Sequence, residues 1–477
     1  MSNLPKNWEY GKLSQAAHVV RGITFPAGEK RNDLAHGYVC CLRTTNVQQK
    51  LEWDDVYYVP KSYVKRDEQL VREGDVLMSM ANSYELVGKV ARAINVPQPA
   101  AFGAFLAAVR PTHAIDGGYL YHFLRSSDVQ SKLREGSSQT TNIANISAGK
   151  LSELTVPLAP WGEQKRIADK LDTVLTRVDA VDTRLARVVP ILKRFRQSVL
   201  AAATSGRLTE DWRRSNADGA MHSQWLQRNN KSDPPPDINS LNVPSTWRVL
   251  RAQDVVESDA NIVYGIVQPG PKLVSGIPYV QTTDIADGRI QVGSLCRTSV
   301  DIANRYHRSS IKGGDVLLGI IRATKVAVVP DELSGGNISR SVARLRPCSD
   351  MVPQFLAIVL ESPAVQDWLR AQHRGMDMPV LNLAQVRLAP LPIAPIDEQR
   401  EIVRRVETLF AFADRLEARL RAARNATERL TPALLAKAFR GELVQQDPND
   451  EPASELLRRL QQEAPSTSTK RGRKSAA

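Results

Sequence analysis

Apolar residues along the middle of the chain recur at alternating steps of four and three, through Ile167, Leu171, Val174, Val178, Val181, Leu185, Val188, Leu192, Phe195 and Val199. A second stripe with the same alternation runs through Ile402, Val406, Leu409, Ala413, Leu416, Leu420, Ala423, Thr427, Leu430 and Leu434. This is the a/d pattern of a coiled coil. So narrow a seam is not satisfied alone in water, so the two predicted helices bury their seams against each other.

The two stripes belong to a longer repeat. Shifted by 398 − 163 = 235 residues, Pro157 to Leu208 falls on Pro392 to Leu443 without a gap, matching Pro160/Pro395, Gln164/Gln399, Ile167/Ile402, Leu200/Leu435 and Gly206/Gly441. The prolines, Gly162 or Asp397 as N-caps, and Glu163 or Glu398 in the first turn predict the helix starts. Gly206 and Gly441 predict the stops. The span is about 44 residues, or roughly 65 Å at 1.5 Å per residue. Pro190 and Pro432 are expected to kink or break it.

The regions ahead of the helices repeat more loosely. Leu4-Pro5-Lys6-Asn7-Trp8 returns as Val243-Pro244-Ser245-Thr246-Trp247, Arg21-Gly22-Ile23 as Tyr264-Gly265-Ile266, and Gly74-Asp75-Val76-Leu77 as Gly314-Asp315-Val316-Leu317. Short apolar runs (Asp75 to Met80, Asp315 to Ile321) alternate with amphipathic segments (Gly118 to Leu133, Val352 to Leu369), which predicts an α+β globule each time. The expected domains are a globule over 1–156, a long helix within 157–214, a polar linker over 215–243, a second globule over 244–391, a second helix within 392–446, and a mostly disordered tail over 447–477. A short amphipathic stretch, Ser454 to Leu460, interrupts that tail. The second globule lies between the two helices in sequence, so the chain path favours antiparallel pairing with pseudo-two-fold symmetry; the linker is long enough to permit parallel pairing.

Composition narrows the function. With 42% hydrophobic and 24% charged residues, the chain is globular, and no run approaches the roughly 18 apolar residues of a membrane span. No basic-then-apolar signal opens it, so a cytoplasmic protein without membrane attachment is expected. Cys40, Cys41, Cys296 and Cys348 show neither CxxC spacing nor a nearby His pair, which supports neither a disulfide framework nor a zinc site. A formal charge of +13 points to a polyanionic partner, nucleic acid before membrane.

Catalytic motifs are missing. There is no phosphate-binding loop, dinucleotide fingerprint, HExxH or nucleophile elbow. Asp233-Pro234-Pro235-Pro236 lacks the aromatic residue that would stack on a flipped base, and reads as linker. Glu163-Gln164-Lys165 has the look of a nuclease metal triplet, but the second copy carries Arg400 in place of lysine and no Pro-Asp partner is near. It reads as a helix start with surface charge, and no catalytic or metal-binding residue is assigned. Recognition remains. Polar and basic loops supply side chains that read base edges and grip phosphates. The candidates are Asn82, Ser83 and Tyr84 with Lys89; Ser138, Gln139, Thr140 and Asn142; Arg322, Thr324 and Lys325; and Gln372, His373 and Arg374.

Two diverged globules, each ending in a Pro-x-x-Pro-x-x-Glu-Gln-x-x-Ile helix start and closing with Ser198 to Leu208 or Ala433 to Leu443, closely resemble the DNA specificity subunit of type I restriction-modification systems. The resemblance runs from residue 4 to about 446. It implies two target-recognition domains, each reading half of an asymmetric bipartite site in double-stranded DNA, held apart by a helical spacer. It further implies docking of two methylation subunits, with restriction subunits in the full complex. Adenine N6 methylation, S-adenosylmethionine, ATP and magnesium would then belong to the partners, and this chain would hold no cofactor. The competing reading is a coiled-coil adaptor that joins proteins without touching DNA.

Overall fold

The computed structural model describes residues 4–139, 143–216, 243–375 and 379–463. It divides into two compact units, one built from Met1–Ala186 with Ala422–Ala477, the other from Arg187–Arg421. Each long helix therefore contributes its first part to one unit and its last part to the other.

In the first unit a four-stranded antiparallel sheet runs in the order Ala17–Arg21, Leu106–Pro111, Val76–Ser79, Val90–Arg92. Its central register sets Val76 opposite Val109 and Leu77 opposite Ala108. Val76, Met78, Ala107 and Val109 join the core cluster that contains the helices, while Leu77, Leu106 and Ala108 join a second cluster. Successive side chains point to opposite faces, so a strand covered on both sides is apolar at every position. That explains the unbroken Val76 to Met78 run. The second cluster is closed by a smaller sheet of Tyr57–Pro60, Tyr38–Leu42 and Ala100–Phe102, the last pair parallel.

The second unit repeats this plan. Its four-stranded sheet runs Val263–Tyr264, Val342–Leu345, Val316–Gly319, Val326–Val328, and its smaller sheet runs Cys296–Thr298, Ile277–Val280, Asn337–Ile338. Val316 and Leu318 face one cluster and Leu317 the other. Each amphipathic segment is two helices, Gly117–Leu124 with Ser127–Glu135, and Pro353–Glu361 with Pro363–Ala371. The break falls at Ser126 and Ser362, extended residues whose hydroxyls donate to the carbonyls of Phe123 and Val359 at 2.7 Å. In the second copy Pro363 starts the new helix, where its missing N–H costs nothing.

The Gly-Asp pairs of the sequence repeat are buried ion-pair sites. Arg110 grips Asp75 through Nε and Nη2 at 2.7 Å each, and Arg346 grips Asp315 at 2.8 and 2.9 Å. Each aspartate also accepts from the backbone N–H three residues earlier, at Arg72 or Lys312.

The long helices span Trp161–Thr204 and Ile396–Ala438. They begin one residue before the expected caps. Gln164 N donates to the Pro160 carbonyl and Gln399 N to the Pro395 carbonyl, both at 2.9 Å, so the prolines hold the cap position and Gly162 and Asp397 lie inside the helix. Neither Pro190 nor Pro432 breaks its helix; both are exposed, which leaves water to satisfy the carbonyl each one strands. The pairing is antiparallel. In the second unit Arg196, late in the first helix, bonds Asp414 at 2.6 Å, while Arg405, early in the second, bonds the Leu208 carbonyl and Asp211 beyond the first helix's end. In the first unit Ile167, Leu171 and Leu175 share a core with Leu435 and Ala438 from the opposite end of the second helix.

The seam departs from the expected stripe in places. Ile167, Leu171, Val178, Ile402, Val406 and Leu420 are buried, and Val174, Leu185, Leu409 and Leu416 are half-buried. Leu175 takes the buried place next to Val174, and Val181 and Leu430 are exposed. A 3.5-residue repeat drifts around a straight helix of 3.6 residues per turn, so the buried face moves by one position along its length.

The expectation of a largely disordered tail is corrected over 447–463. Ala453–Glu463 is a helix with Leu456 and Leu457 buried, and Arg166 pairs with Asp450 at 2.6 Å. The expected linker lies mostly outside the described residues, as do Asp233 to Pro236. No helix among the described residues is long and apolar enough to cross a membrane.

Candidate nucleic-acid interface

A small ribbon stands beside the main sheet in both units, and it collects most of the candidate residues. In the first unit Asn82 pairs across the ribbon with Ala144, which pairs with Gln139; Ala81 pairs with Asn145, which pairs with Ser138. In the second unit Ile321 pairs with Val380, and Val380 with Arg374. Ile146 N donates to the Met80 carbonyl at 2.8 Å and Leu381 N to the Ile320 carbonyl at 2.8 Å, which fixes the ribbon to the sheet identically in both copies. Thr140 and Asn142 lie outside the described residues, as does the Gln139 side chain.

The remaining candidates divide by what their side chains already hold. Asn82 Nδ2 donates to Ser79 Oγ at 3.3 Å and its Oδ1 accepts from Ser83 N at 2.9 Å, which shapes the loop leading to exposed Tyr84. Lys89 donates to Gln48 Oε1 and is half-buried. Thr324 is an anchor: its hydroxyl bonds Gln366 Oε1 and its carbonyl accepts from Gln366 Nε2 at 3.1 Å, as the Gly88 carbonyl accepts from Gln130 at 2.7 Å in the first unit. Gln372 caps its helix by donating its backbone N–H to Leu369. Burial, aided by the nearby Arg370 charge, holds the His373 imidazole below its ordinary pKa. Ser138, Arg322, Lys325 and Arg374 are exposed.

Arg322 occupies a left-handed conformation, φ 69°, with its N–H donating to the Pro379 carbonyl at 2.9 Å. The ribbon thus forces a residue with a side chain into a region that favours glycine. Among the described residues, neither Arg322 nor Arg374 has an ion-pair partner.

Three exposed residues beside the ribbon escaped sequence reasoning. Phe105 is held there by its carbonyl, which accepts from Met80 N at 2.8 Å. Arg340 and Tyr264 flank the matching turn of the second unit, where Ile320 N donates to Ser341 at 2.9 Å. A signal did exist: Gly22 and Gly265 are repeated, and a Cβ at either would overlap a neighbouring carbonyl, yet Arg21 and Tyr264 before them differ.

The repeated phrase at the helix starts is structural. Trp8 Nε1 donates to Glu163 at 3.0 Å and Trp247 Nε1 to Glu398 at 2.9 Å, with both carboxylates buried. The surface charge expected of Glu163 is corrected, because the indole supplies the bond that burial demands; Lys165 and Arg400 alone face outward. Gln164 and Gln399 are buried clips that bind three backbone groups each. Among the described residues no three His, Cys, Asp or Glu side chains converge as a metal site.

One α+β plan built twice, with each copy leading into a long helix of an antiparallel pair and carrying a small ribbon of differing sequence, defines a duplicated recognition protein. A profile described as the type I restriction modification DNA specificity domain matches residues 5–188 and again 244–423. The chain is 36% identical over 330 residues to the type I restriction enzyme EcoBI specificity subunit of Escherichia coli, covering 69% of this chain and 66% of that one. It is 30% identical over 456 residues to the EcoKI specificity subunit of Escherichia coli strain K12, covering 93% of this chain and 90% of that one. Among solved structures, a chain from a study of complex assembly and conformational transition in the type I R-M system superposes with a TM-score of 0.66 at 18% identity, covering 93% of this chain and 100% of its own. The HsdS subunit from Thermoanaerobacter tengcongensis follows at 0.55 and 19%, covering 92% and 98%. These two superpositions speak to the fold. The chain belongs to the family of type I restriction-modification DNA specificity subunits.

Proposed function

We propose that this chain is the non-catalytic, DNA-reading subunit of a cytoplasmic methylation and restriction complex. Each unit reads one half of an asymmetric bipartite site in double-stranded DNA, and the helix pair sets the gap between half-sites and docks two methylation subunits. Restriction subunits join through them. S-adenosylmethionine, ATP and magnesium act in those partners, which methylate adenine at N6. The observation that carries this reading is the ribbon: its frame is the same in both units, while its outward residues, Asn82 and Ser138 against Arg322 and Arg374, are not. Unequal readers on a repeated frame suit two different half-sites, whereas identical readers suit a palindrome.

The test is to express the chain with its cognate methylation subunits and map methylated adenines, then exchange residues 1–156 for those of a relative. A bipartite motif whose one half changes with the exchange is expected. An unchanged motif, or no sequence-selective methylation, overturns the proposal and favours the adaptor reading.

A further inference from the structure

Beside the second unit's ribbon lies a cleft of about 640 Å³ whose lining includes Tyr264, Val267, Arg340, Arg374 and Val380. Its floor is buried and aliphatic, with Ile320 and Leu381 at 4% and 1% exposure. Its walls are open: Tyr264, Val267 and Val380 are 49%, 40% and 37% exposed. The two arginines sit on separate elements whose backbones are fixed. Arg340 N donates to the Ile266 carbonyl at 2.9 Å, and Arg374 exchanges backbone bonds with Val380 at 3.1 and 3.0 Å. Neither guanidinium has an ion pair or side-chain hydrogen bond among the described residues.

An unpaired guanidinium at the edge of an apolar cleft calls for a planar acceptor that brings apolar surface with it. A phosphate would satisfy the guanidinium charge but would bring no apolar surface to Val267 and Val380. The major-groove edge of a base pair offers both. Guanine presents O6 and N7 to one guanidinium fork, and a neighbouring thymine methyl meets aliphatic side chains. The first unit differs where it matters. Ribbon register sets Ser138 where the second unit has Arg374, and the sheet edge sets Ala104 where it has Arg340.

We propose that the cleft between Arg340 and Arg374 reads guanine at two positions in the half-site of the second unit, each guanidinium donating to O6 and N7 of its own guanine while Val267 and Val380 pack on the adjacent base. Arg340 and Arg374 are thereby specificity-determining residues, and the corresponding surface of the first unit does not select guanine in this way. This rests on the DNA-reading function proposed above.

The experiment is selection of binding sequences from a random duplex pool by the full chain complexed with its methylation subunits. Arg340→Ala, Arg374→Ala and the charge-conserving Arg340→Lys are compared with the parent, and an exchange of residues 244–391 marks which half-site belongs to the second unit. The expected result is guanine at two positions in that half. The preference for guanine at one of them should fall about 10- to 100-fold in each alanine variant, a different one in each, with the other half unchanged. Arg340→Lys should relax the same position as Arg340→Ala while leaving the salt dependence of binding intact, which separates a lost fork from a lost fold. No guanine in that half, an unaltered motif, or weakening equal across all sequences overturns the assignment. A parent complex that selects no sequence at all overturns the DNA-reading function first, and the cleft assignment with it.

Discussion

Trp247 Nε1 donates to Glu398 Oε2 at 2.9 Å inside the second unit, tying the residue that opens that globule to the first turn of the helix that closes it. Trp8 and Glu163 repeat the bond at 3.0 Å, but the second carboxylate oxygens fare differently. Glu398 Oε1 accepts from Thr209 Oγ1 at 2.6 Å and from Arg213. Glu163 Oε1 is buried without a partner among the described residues, because Val444 and Pro448 stand 235 residues beyond Thr209 and Arg213.

The two glutamates should therefore respond oppositely to neutralisation. Glu398→Gln leaves the largely buried Arg213 guanidinium unpaired and should destabilise the second unit by about 3 kcal/mol. Burial, only partly offset by the Trp8 bond and the Arg166 charge, raises the Glu163 carboxyl above the ordinary carboxylate range. A raised folded-state pKa contributes stability that is full below the ordinary value and lost as pH rises through the shifted one. Glu163→Gln should thus flatten the pH dependence and be tolerated at pH 7. Thermal unfolding of both variants between pH 4 and 8 checks the contrast.

The paired Asp-Arg forks make a second prediction. Asp315→Ala would leave Arg346 and the Lys312 N–H without their acceptor inside the second unit, and Asp75→Ala would do the same to Arg110 and Arg72 in the first. Breaking a buried fork typically costs about 3 to 5 kcal/mol. Each variant should lower the urea midpoint of its own unit, read by hydrogen exchange at Val316–Gly319 or Val76–Ser79.

Much of the scaffold was legible because it is written twice. The Gly-Asp-Val-Leu pairs mark the central strands, the Glu-Gln pairs mark helix starts, and the offset of 235 aligns both helices. What those residues do was not legible. Glu163 meets Trp8 across 155 positions, and nothing local distinguishes a buried glutamate bonded to an indole from a surface one in a first helical turn. The proposed recognition surface divides the same way: Asn82, Ser138 and Arg374 were legible as polar loop residues, whereas Arg340 and Tyr264 reach the ribbon through sheet register, which sequence periodicity does not carry. Thr324 looked like a contact residue and is an anchor, because its partner Gln366 lies 42 positions away.

Glu361 carries a pH dependence of its own. Burial, reinforced by the Asp287 charge, lifts its carboxyl from 4.5 to about 7. Its contribution to stability is complete below 4.5 and disappears as pH rises through 7, because ionisation then has to occur in a buried site beside a like charge. Glu361→Gln should leave stability near pH 4.5 unchanged and raise it at pH 8 by up to about 3 kcal/mol. Melting temperatures at the two pH values decide it; an equal shift at both would mean the side chain acts through packing.

The helix Ala453–Glu463 is a brace on the first unit. Ala453 N donates to the Asn7 carbonyl at 3.0 Å, Leu456 and Leu457 are buried, and Asp450 holds Arg166 in the second turn of the first long helix. Among the described residues the strand Glu9–Lys12 pairs only with Thr155–Leu158, and two strands alone are marginal in water. Leu457→Ala should cost about 2 kcal/mol, since the site lies at the edge of its core. Removing 447–477 should lower the melting temperature further and expose the amides of Glu9–Lys12 to exchange, while the strands of the second unit, which has its own core, keep their protection. Loss of protection in both units alike would show that the helix supports more than the sheet it touches.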